Sequence, residues 1–427
     1  MGRFIKSLLA ALTGAALTGA VILFGAFEGW GRTRLAPPRD AGEFAKAVAA
    51  RLDRDSIGNA AFILVEGGSP VSEHFVSKGA PVDRDTQFQV ASLGKWATAW
   101  GVMKLVEQGR IDLDAPVSRY LTRWRLPASQ FDNRKVTVRR LLSHTAGLTD
   151  GLGYAGFAPG TPVQSLEDSL TKAADASPGA DGSVRVGMEP GGFEYSGGGY
   201  TLLQLVVEEV SGQTFNDFMT QRVFIPLGMD RSTYIPEDRA ANVAEIYDTE
   251  GSRATSRHFT SLAATSLHTS AADMARFISA HSPGANGEPV GRGVLRPETL
   301  LAMRRPHASK MGADIWGLGV MLYAPNNAGD FIIGHDGDNE PAINAAVRLD
   351  PATGDGIVLL ETGNELLATK LAGQWVFWTA GEVDFLVVTM ELKRTLTWAS
   401  VGAGVAFLSV FLLVWRLARR RKPEATT

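Results

Sequence analysis

Ser92-Leu93-Gly94-Lys95 stands at the head of an apolar run of Trp96, Trp100, Val102, Met103, Leu105 and Val106 that ends at Gly109. Residues three apart lie on one helix face, so Lys95 is predicted to stand beside Ser92. An amine buried there, against the tryptophans, could take the hydroxyl proton and turn a weak nucleophile into a strong one. The pattern Ser-x-x-Lys is weak by itself, since roughly one or two matches are expected by chance in a chain this long. A second match does occur, Ser169-Leu170-Thr171-Lys172. It is followed by the loop-like Pro178-Gly179-Ala180-Asp181-Gly182 and reads as a solvated helix end.

Ser92 has partners in chain order. Val136-Thr137-Val138-Arg139-Arg140-Leu141-Leu142-Ser143-His144-Thr145-Ala146-Gly147-Leu148 comes first. Pro190-Gly191-Gly192-Phe193-Glu194-Tyr195-Ser196-Gly197-Gly198-Gly199-Tyr200 follows, and Gly334-His335-Asp336-Gly337 comes late. With these segments the chain resembles the penicillin-recognising serine hydrolases, which include class C β-lactamases, D-alanyl-D-alanine carboxypeptidases and related esterases. Phe88 to Ser92, Glu107 to Leu113, Pro226 to Met229 and Thr269 to Phe277 match in the same order. The resemblance covers residues 40 to 380 or so, and ordered matches are far more specific than any single motif.

The resemblance implies roles at named positions. Tyr195 would contact Ser92 and share its proton with Lys95; otherwise it is a core tyrosine. His335 would face the serine from an inner strand and bind a substrate carboxylate or polarise the site. Gly337 would let substrate backbone come close. The oxyanion hole would be the backbone N–H groups of Ser92 and Asp338. At Gly197 the chain departs from the pattern, which often reads Tyr-x-Asn. Glycine cannot supply the amide that helps hold the lysine and bind a substrate carbonyl, which weakens the β-lactamase reading. His144, beside Thr145-Ala146-Gly147, is read as structural.

Composition narrows the rest. The chain has 427 residues, 45% of them apolar, a formal net charge of −3 and no cysteine. That permits a large core, gives no bias toward nucleic acid, and excludes disulfides and thiolate catalysis. His74, His258, His268, His281 and His307 share no metal-ligand spacing, so no metal and no cofactor is expected. There is no Gly-x-Ser-x-Gly elbow of the α/β-hydrolase type. Ser7 to Phe27 and Thr395 to Trp415 carry no charge, and each is long enough to cross the hydrocarbon of a bilayer. Arg3 and Lys6 precede the first segment, and Arg416, Arg419, Arg420, Arg421 and Lys422 follow the second. The positive-inside rule therefore puts both ends in the cytoplasm and everything between them outside.

The expected fold is α+β. Ala60–Val65 and Val71–Val76 read as a hairpin, and Trp316–Tyr323, Asp330–Gly334, Ala342–Leu349 and Gly356–Glu361 as later strands. Glu43–Leu52 reads as a helix, Leu366–Ala380 as a final amphipathic one, and residues 112–279 as a mostly helical lobe inserted into an antiparallel sheet. Asp150–Val186 would line the cleft or form a disordered surface insertion. The expected organisation is an anchor or signal segment over 1–30, a serine hydrolase domain over 31–394, a transmembrane helix over 395–415 and a basic cytoplasmic tail over 416–427. The expected function is an extracytoplasmic, membrane-tethered serine hydrolase that works through an acyl-enzyme on D-amino-acid peptides or small esters and weakly on β-lactams. Its partners would be a small-molecule or peptide substrate and the membrane. The rival is a β-lactam-acylated sensor or binding protein with little turnover.

Overall fold

The computed structural model describes residues 2–236 and 242–420. The last seven residues of the basic tail lie outside them. Two compact units emerge: Leu35–Ala380, and the two ends of the chain up to Arg34 and from Gly381.

The larger unit is built on an eight-stranded antiparallel sheet. Its order is Ser69–Val76, Ala60–Glu66, Asp355–Thr362, Ile343–Asp350, Phe331–Asn339, Met321–Pro325, Ala313–Trp316 and Ala308–Lys310. Successive side chains of a strand point to opposite faces. Ala61, Ile63, Val65, Val347, Leu349, Val358 and Leu360 enter the main core with Phe277 and Ile278 of the helix Ala271–Ser279. The helix Leu367–Ala380 packs on the same central strands. With helices on it, the strand Ile343–Asp350 is buried along its whole length, its polar residues Asn344, Arg348 and Asp350 included.

The middle of the chain forms the helical lobe, centred on the helix Gly94–Glu107, nearly all of which is buried. Trp96 and Trp100 pack against Phe277 and His281 with ring centroids 5.0–5.3 Å apart, which ties this helix to the Ala271–Ser279 helix. The helix ends at Gly109, whose φ of 68° suits a glycine C-cap.

Several expectations change. The strand expected over Trp316–Tyr323 is two strands joined by a turn at Gly317-Leu318-Gly319-Val320. Gly317 donates its N–H to the Val320 carbonyl at 2.8 Å. Gly319 has φ 77°, and a Cβ there would lie 2.2 Å from Ala99 Cβ, so only glycine lets the turn rest on the central helix. The strand expected to stop at Gly334 runs on to Asn339, so His335, Gly337 and Asp338 lie inside it. The final helix is buried on almost every side rather than amphipathic, because the strands cover one face and Phe44 stacks on Trp378 at 4.6 Å on another.

Asp150–Val186 is packed rather than disordered. It carries the helix Leu166–Lys172, bridges Leu148 to Val186 and Phe157 to His258, and buries Leu152, Tyr154, Leu170 and Val184. Ser169 is accordingly fully buried instead of solvated. Its hydroxyl has no partner, while Lys172 Nζ turns to the Asp181 carbonyl at 2.7 Å.

The smaller unit contains the helices Gly2–Phe27 and Phe385–Arg420. Within them Phe4–Phe27 and Phe385–Leu417 are long and apolar enough to cross a membrane. The second begins ten residues before the Thr395 expected from the uncharged run, and includes Glu391, Lys393 and Arg394. The two helices meet at small residues: Gly14 faces Val410, Gly19 faces Ala403 and Gly402 faces Ile22. Leu9, Leu12, Leu17, Phe24, Leu408 and Leu413 are each at least half exposed.

Candidate active site

The chain enters the central helix through a tight turn, Ala91–Leu93, in which Ala91 takes φ 46°. A non-glycine residue with positive φ is strained, and such strain is found where a side chain must be aimed. Here it presents Ser92, half-buried, at the mouth of the helix. Ser92 Oγ accepts two hydrogen bonds, one from Lys95 Nζ at 2.9 Å and one from Tyr195 Oη at 3.0 Å. The serine thus sits between two groups able to take its proton.

Lys95 is 2% exposed. Its Nζ also donates to the Ala264 carbonyl at 2.6 Å and lies over the rings of Tyr195 and Tyr200, at 5.2 and 5.5 Å from their centroids. The tryptophans expected around it pack instead on Phe277 and His281. Tyrosine faces and one carbonyl do their work, from segments 100 to 170 residues away.

Tyr195 precedes Ser196, the N-cap of the helix Gly197–Ser211. The tyrosine is 38% exposed, so solvent reaches its outer side, while its inner face lies 4.3 Å from the His144 ring. His144 also contacts Phe193, Tyr200 and Trp316, and its Nδ1 accepts from the Ser196 N–H at 3.1 Å. That bond puts the imidazole proton on Nε2, which is buried without a partner. Ser196 Oγ donates to Asp150 Oδ2 at 2.6 Å and accepts from the Gly199 N–H at 2.8 Å. Burial pushes the Asp150 carboxyl up to about 6, against the opposing hydrogen bonds from Ser196, Leu152 and Gly198.

His335 lies in the strand Phe331–Asn339, 1% exposed, edge-on to Trp316 at 5.4 Å. Its Nδ1 donates to the Asp336 carbonyl at 2.6 Å, which leaves Nε2 as a bare acceptor without a partner. Burial first, then the nearby Lys95 charge, pushes His335 down to about 3, and the same causes hold His144 well below the usual imidazole range. Both rings are neutral at physiological pH. His335 can therefore offer a substrate a hydrogen-bonding atom but no positive charge.

Gly337 permits a close approach of its strand to the chain's own backbone. A Cβ there would lie 1.9 Å from the Val90 carbonyl oxygen and 3.0 Å from Leu93 N. The strand is pressed against the turn that carries Ser92, and Asp338 follows directly. Desolvation, then Glu365, Glu340 and Asp336, push the Asp338 carboxyl up to about 6.

The place where the resemblance expects an asparagine is filled. A Cβ at Gly197 would lie 2.1 Å from the Leu152 carbonyl oxygen and 3.1 Å from the Tyr154 ring, and one at Gly198 would lie 2.1 Å from Asp150 Oδ2. The glycines are required because the 150–186 segment packs onto the start of the helix. Trp316, Ala264 and Asp150 were not among the expected site residues. The only signal for Asp150 was its position two residues after Leu148 in the His144 segment. None marked the Ala264 carbonyl.

Comparison with known proteins identifies the family and the fold. A family model described as Beta-lactamase matches residues 44–373. Penicillin-binding protein 4* of Bacillus subtilis (strain 168) is 30% identical over 184 residues, covering 41% of this chain and 37% of the relative. Esterase EstB of Burkholderia gladioli is 33% identical over 162 residues, covering 35% of this chain and 39% of the relative. These alignments span only about two fifths of the relatives' length. The crystal structure of SurE with D-Leu superposes with a TM-score of 0.58 at 27% identity, covering 78% of this chain and 74% of that one.

Proposed function

The chain belongs to the beta-lactamase family, and from that premise we propose that it is a serine hydrolase, tethered to a membrane and working outside the cytoplasm, that forms an acyl-enzyme on Ser92. The observation that carries the reading is the pair of hydrogen bonds converging on Ser92 Oγ from Lys95 Nζ and Tyr195 Oη. Ser92 attacks a substrate carbonyl carbon, and its proton passes to the Lys95–Tyr195 pair. The N–H groups of Ser92 and Asp338 receive the developing oxyanion, as the packing of the Gly337 strand on the Ser92 turn favours. The pair returns the proton to the leaving group. Water then attacks the ester, and Ser92 leaves with its hydroxyl restored.

The substrates proposed are peptides containing a D-amino acid and small esters. A penicillin-binding protein, an esterase and a D-leucine complex among the similar proteins support those classes. β-Lactams are expected to be turned over weakly. Gly197 offers no amide to hold a strained lactam, and a polar group desolvated without its partner costs about 1–3 kcal/mol, or roughly one to two decades in rate. Two apolar helices with Arg and Lys at their outer ends support the tethering and the orientation.

The test uses the full chain in detergent, treated in parallel with a fluorescent fluorophosphonate and a fluorescent penicillin, with adducts mapped by peptide mass spectrometry. Both probes are expected on Ser92, with p-nitrophenyl acetate turned over continuously. An adduct that persists in Ser92→Ala defeats the assignment. Penicillin labelling without ester or peptide turnover would favour a sensor instead.

A further inference from the structure

Tyr195 must hold its hydroxyl at Ser92 although solvent reaches one side of it, so its position depends on the backbone beneath. We propose that Asp150 is a positioning residue for Tyr195, acting through Ser196. This rests on the role proposed above for Tyr195.

Three bonds meet at the residue next to the tyrosine. The Ser196 N–H donates to His144 Nδ1 at 3.1 Å, its hydroxyl donates to Asp150 Oδ2 at 2.6 Å, and its Oγ accepts from the Gly199 N–H at 2.8 Å. Ser196 is extended, with φ −135° and ψ 117°, while the following residues are helical. The chain therefore turns sharply just after Tyr195, and this set of bonds holds the turn. Asp150 is 1% exposed, and its other oxygen accepts from the Leu152 N–H at 3.2 Å, which fixes the carboxylate from behind.

The sequence is adapted to that carboxylate. A side chain at Gly198 would sit 2.1 Å from Asp150 Oδ2, so the acid can lie against the helix start only because position 198 is glycine. Nor is Asp150 a group that touches substrate: it is buried beneath Ser196 and Gly198. Its other role as an acid at a helix N-terminus, favourable to the exposed N–H groups there, would stabilise the fold without affecting Tyr195. The test must separate these two.

A double-mutant cycle does so, with the fluorophosphonate labelling rate of the full chain as its readout. Asp150→Asn and Ser196→Ala are each expected to lower the rate about 10-fold or more, since misplacing a reacting group by about 1 Å can cost up to 100-fold. In a Tyr195→Phe background neither should lower the rate further, although each should still lower the melting temperature. Ser196→Thr, which retains the bridging hydroxyl, should restore most of the rate lost in Ser196→Ala. Full multiplication of the Asp150→Asn loss with the Tyr195→Phe loss would overturn the proposal, as would a wild-type rate in both Asp150→Asn and Ser196→Ala. If Asp150→Asn does not fold, Ser196→Ala carries the cycle. Tyr195→Phe alone reports on the parent reading, because a wild-type rate there removes Tyr195 from the chemistry.

Discussion

Replacing Gly337 by alanine is expected to disable the site while leaving most of the fold in place. The new methyl would fall 1.9 Å from the Val90 carbonyl oxygen, 2.9 Å from the Val90 carbonyl carbon and 3.0 Å from Leu93 N. Real Cβ atoms essentially never come within 3.0 Å, so the strand and the Ser92 turn must separate by about an ångström. All three neighbours are backbone, and no side chain can swing away. The strand is held by its register with Ile343–Asp350, in which Gly337 pairs with Ala345. The turn, already strained at Ala91, is the softer partner. Overpacking of this kind costs about 1–3 kcal/mol of stability. Displacing the nucleophile by an ångström costs up to about 100-fold in rate. Thermal melting and the second-order rate of fluorophosphonate labelling, measured on the same preparation, separate the two effects. Gly42→Ala is the control: its nearest neighbour is Asp40 Oδ1 at 3.6 Å, so neither quantity should fall. A Gly337→Ala protein that labels at the wild-type rate would show that the strand does not abut the Ser92 turn.

Lys95→Ala and Tyr195→Phe should each lower acylation by about 100-fold or more, and the double variant should lose little beyond the worse single one; full multiplication in burst kinetics would mean two separate proton paths. Gly197→Asn should lose about 1–3 kcal/mol of stability against the Leu152 carbonyl and gain no nitrocefin hydrolysis, checked by melting and kcat/KM. His281 is held down at about 4 by burial, against an ordinary 6.5. It imposes no penalty above pH 6.5, and as pH falls toward 4 the unfolded chain takes up a proton that the native ring refuses. That difference is worth up to about 3 kcal/mol. His281→Phe, which retains the ring against Trp96 and Trp100, should therefore lose less melting temperature than wild type between pH 6.5 and 4; parallel curves would contradict the burial argument. A phosphatase reporter fused near Ala380 should be active and one fused after Thr427 inactive, and the reverse would overturn the orientation.

The features legible in the sequence were those that depend on near neighbours along the chain. Ser92 and Lys95 are one helical turn apart, so their contact follows from spacing alone. The first hairpin and the two inner strands near 343 and 355 follow from apolar runs bounded by turn residues. Tyr195 was legible through the ordered segments around it, and the two apolar helices through length and absence of charge. The break at Gly317–Val320 was not, because it is imposed by Leu142, whose carbonyl accepts from the Gly319 N–H and from Trp316 Nε1, and by Ala99 beneath Gly319. Nor was the packing of the 150–186 segment, whose Gly- and Ala-rich composition hides side chains that become buried only against the helix Gly197–Ser211.

By itself the sequence determined which residues could do chemistry and what local setting they have: a serine one turn before a lysine, a tyrosine in a glycine-rich segment, a histidine just after an apolar run, all between two lipid-compatible helices. Helical spacing, strand alternation and hydrophobic length act over a few residues, and a linear chain displays them directly. Only the tertiary structure decided what surrounds those groups. It set tyrosine faces and a carbonyl around Lys95 in place of tryptophan, neutralised His335 by burial, gave Gly337 to the Val90 carbonyl, and filled the space of an absent asparagine with Leu152 and Tyr154. Each of these is an excluded volume or a desolvation set by residues tens to hundreds of positions away, and such terms exist only once the chain has closed on itself.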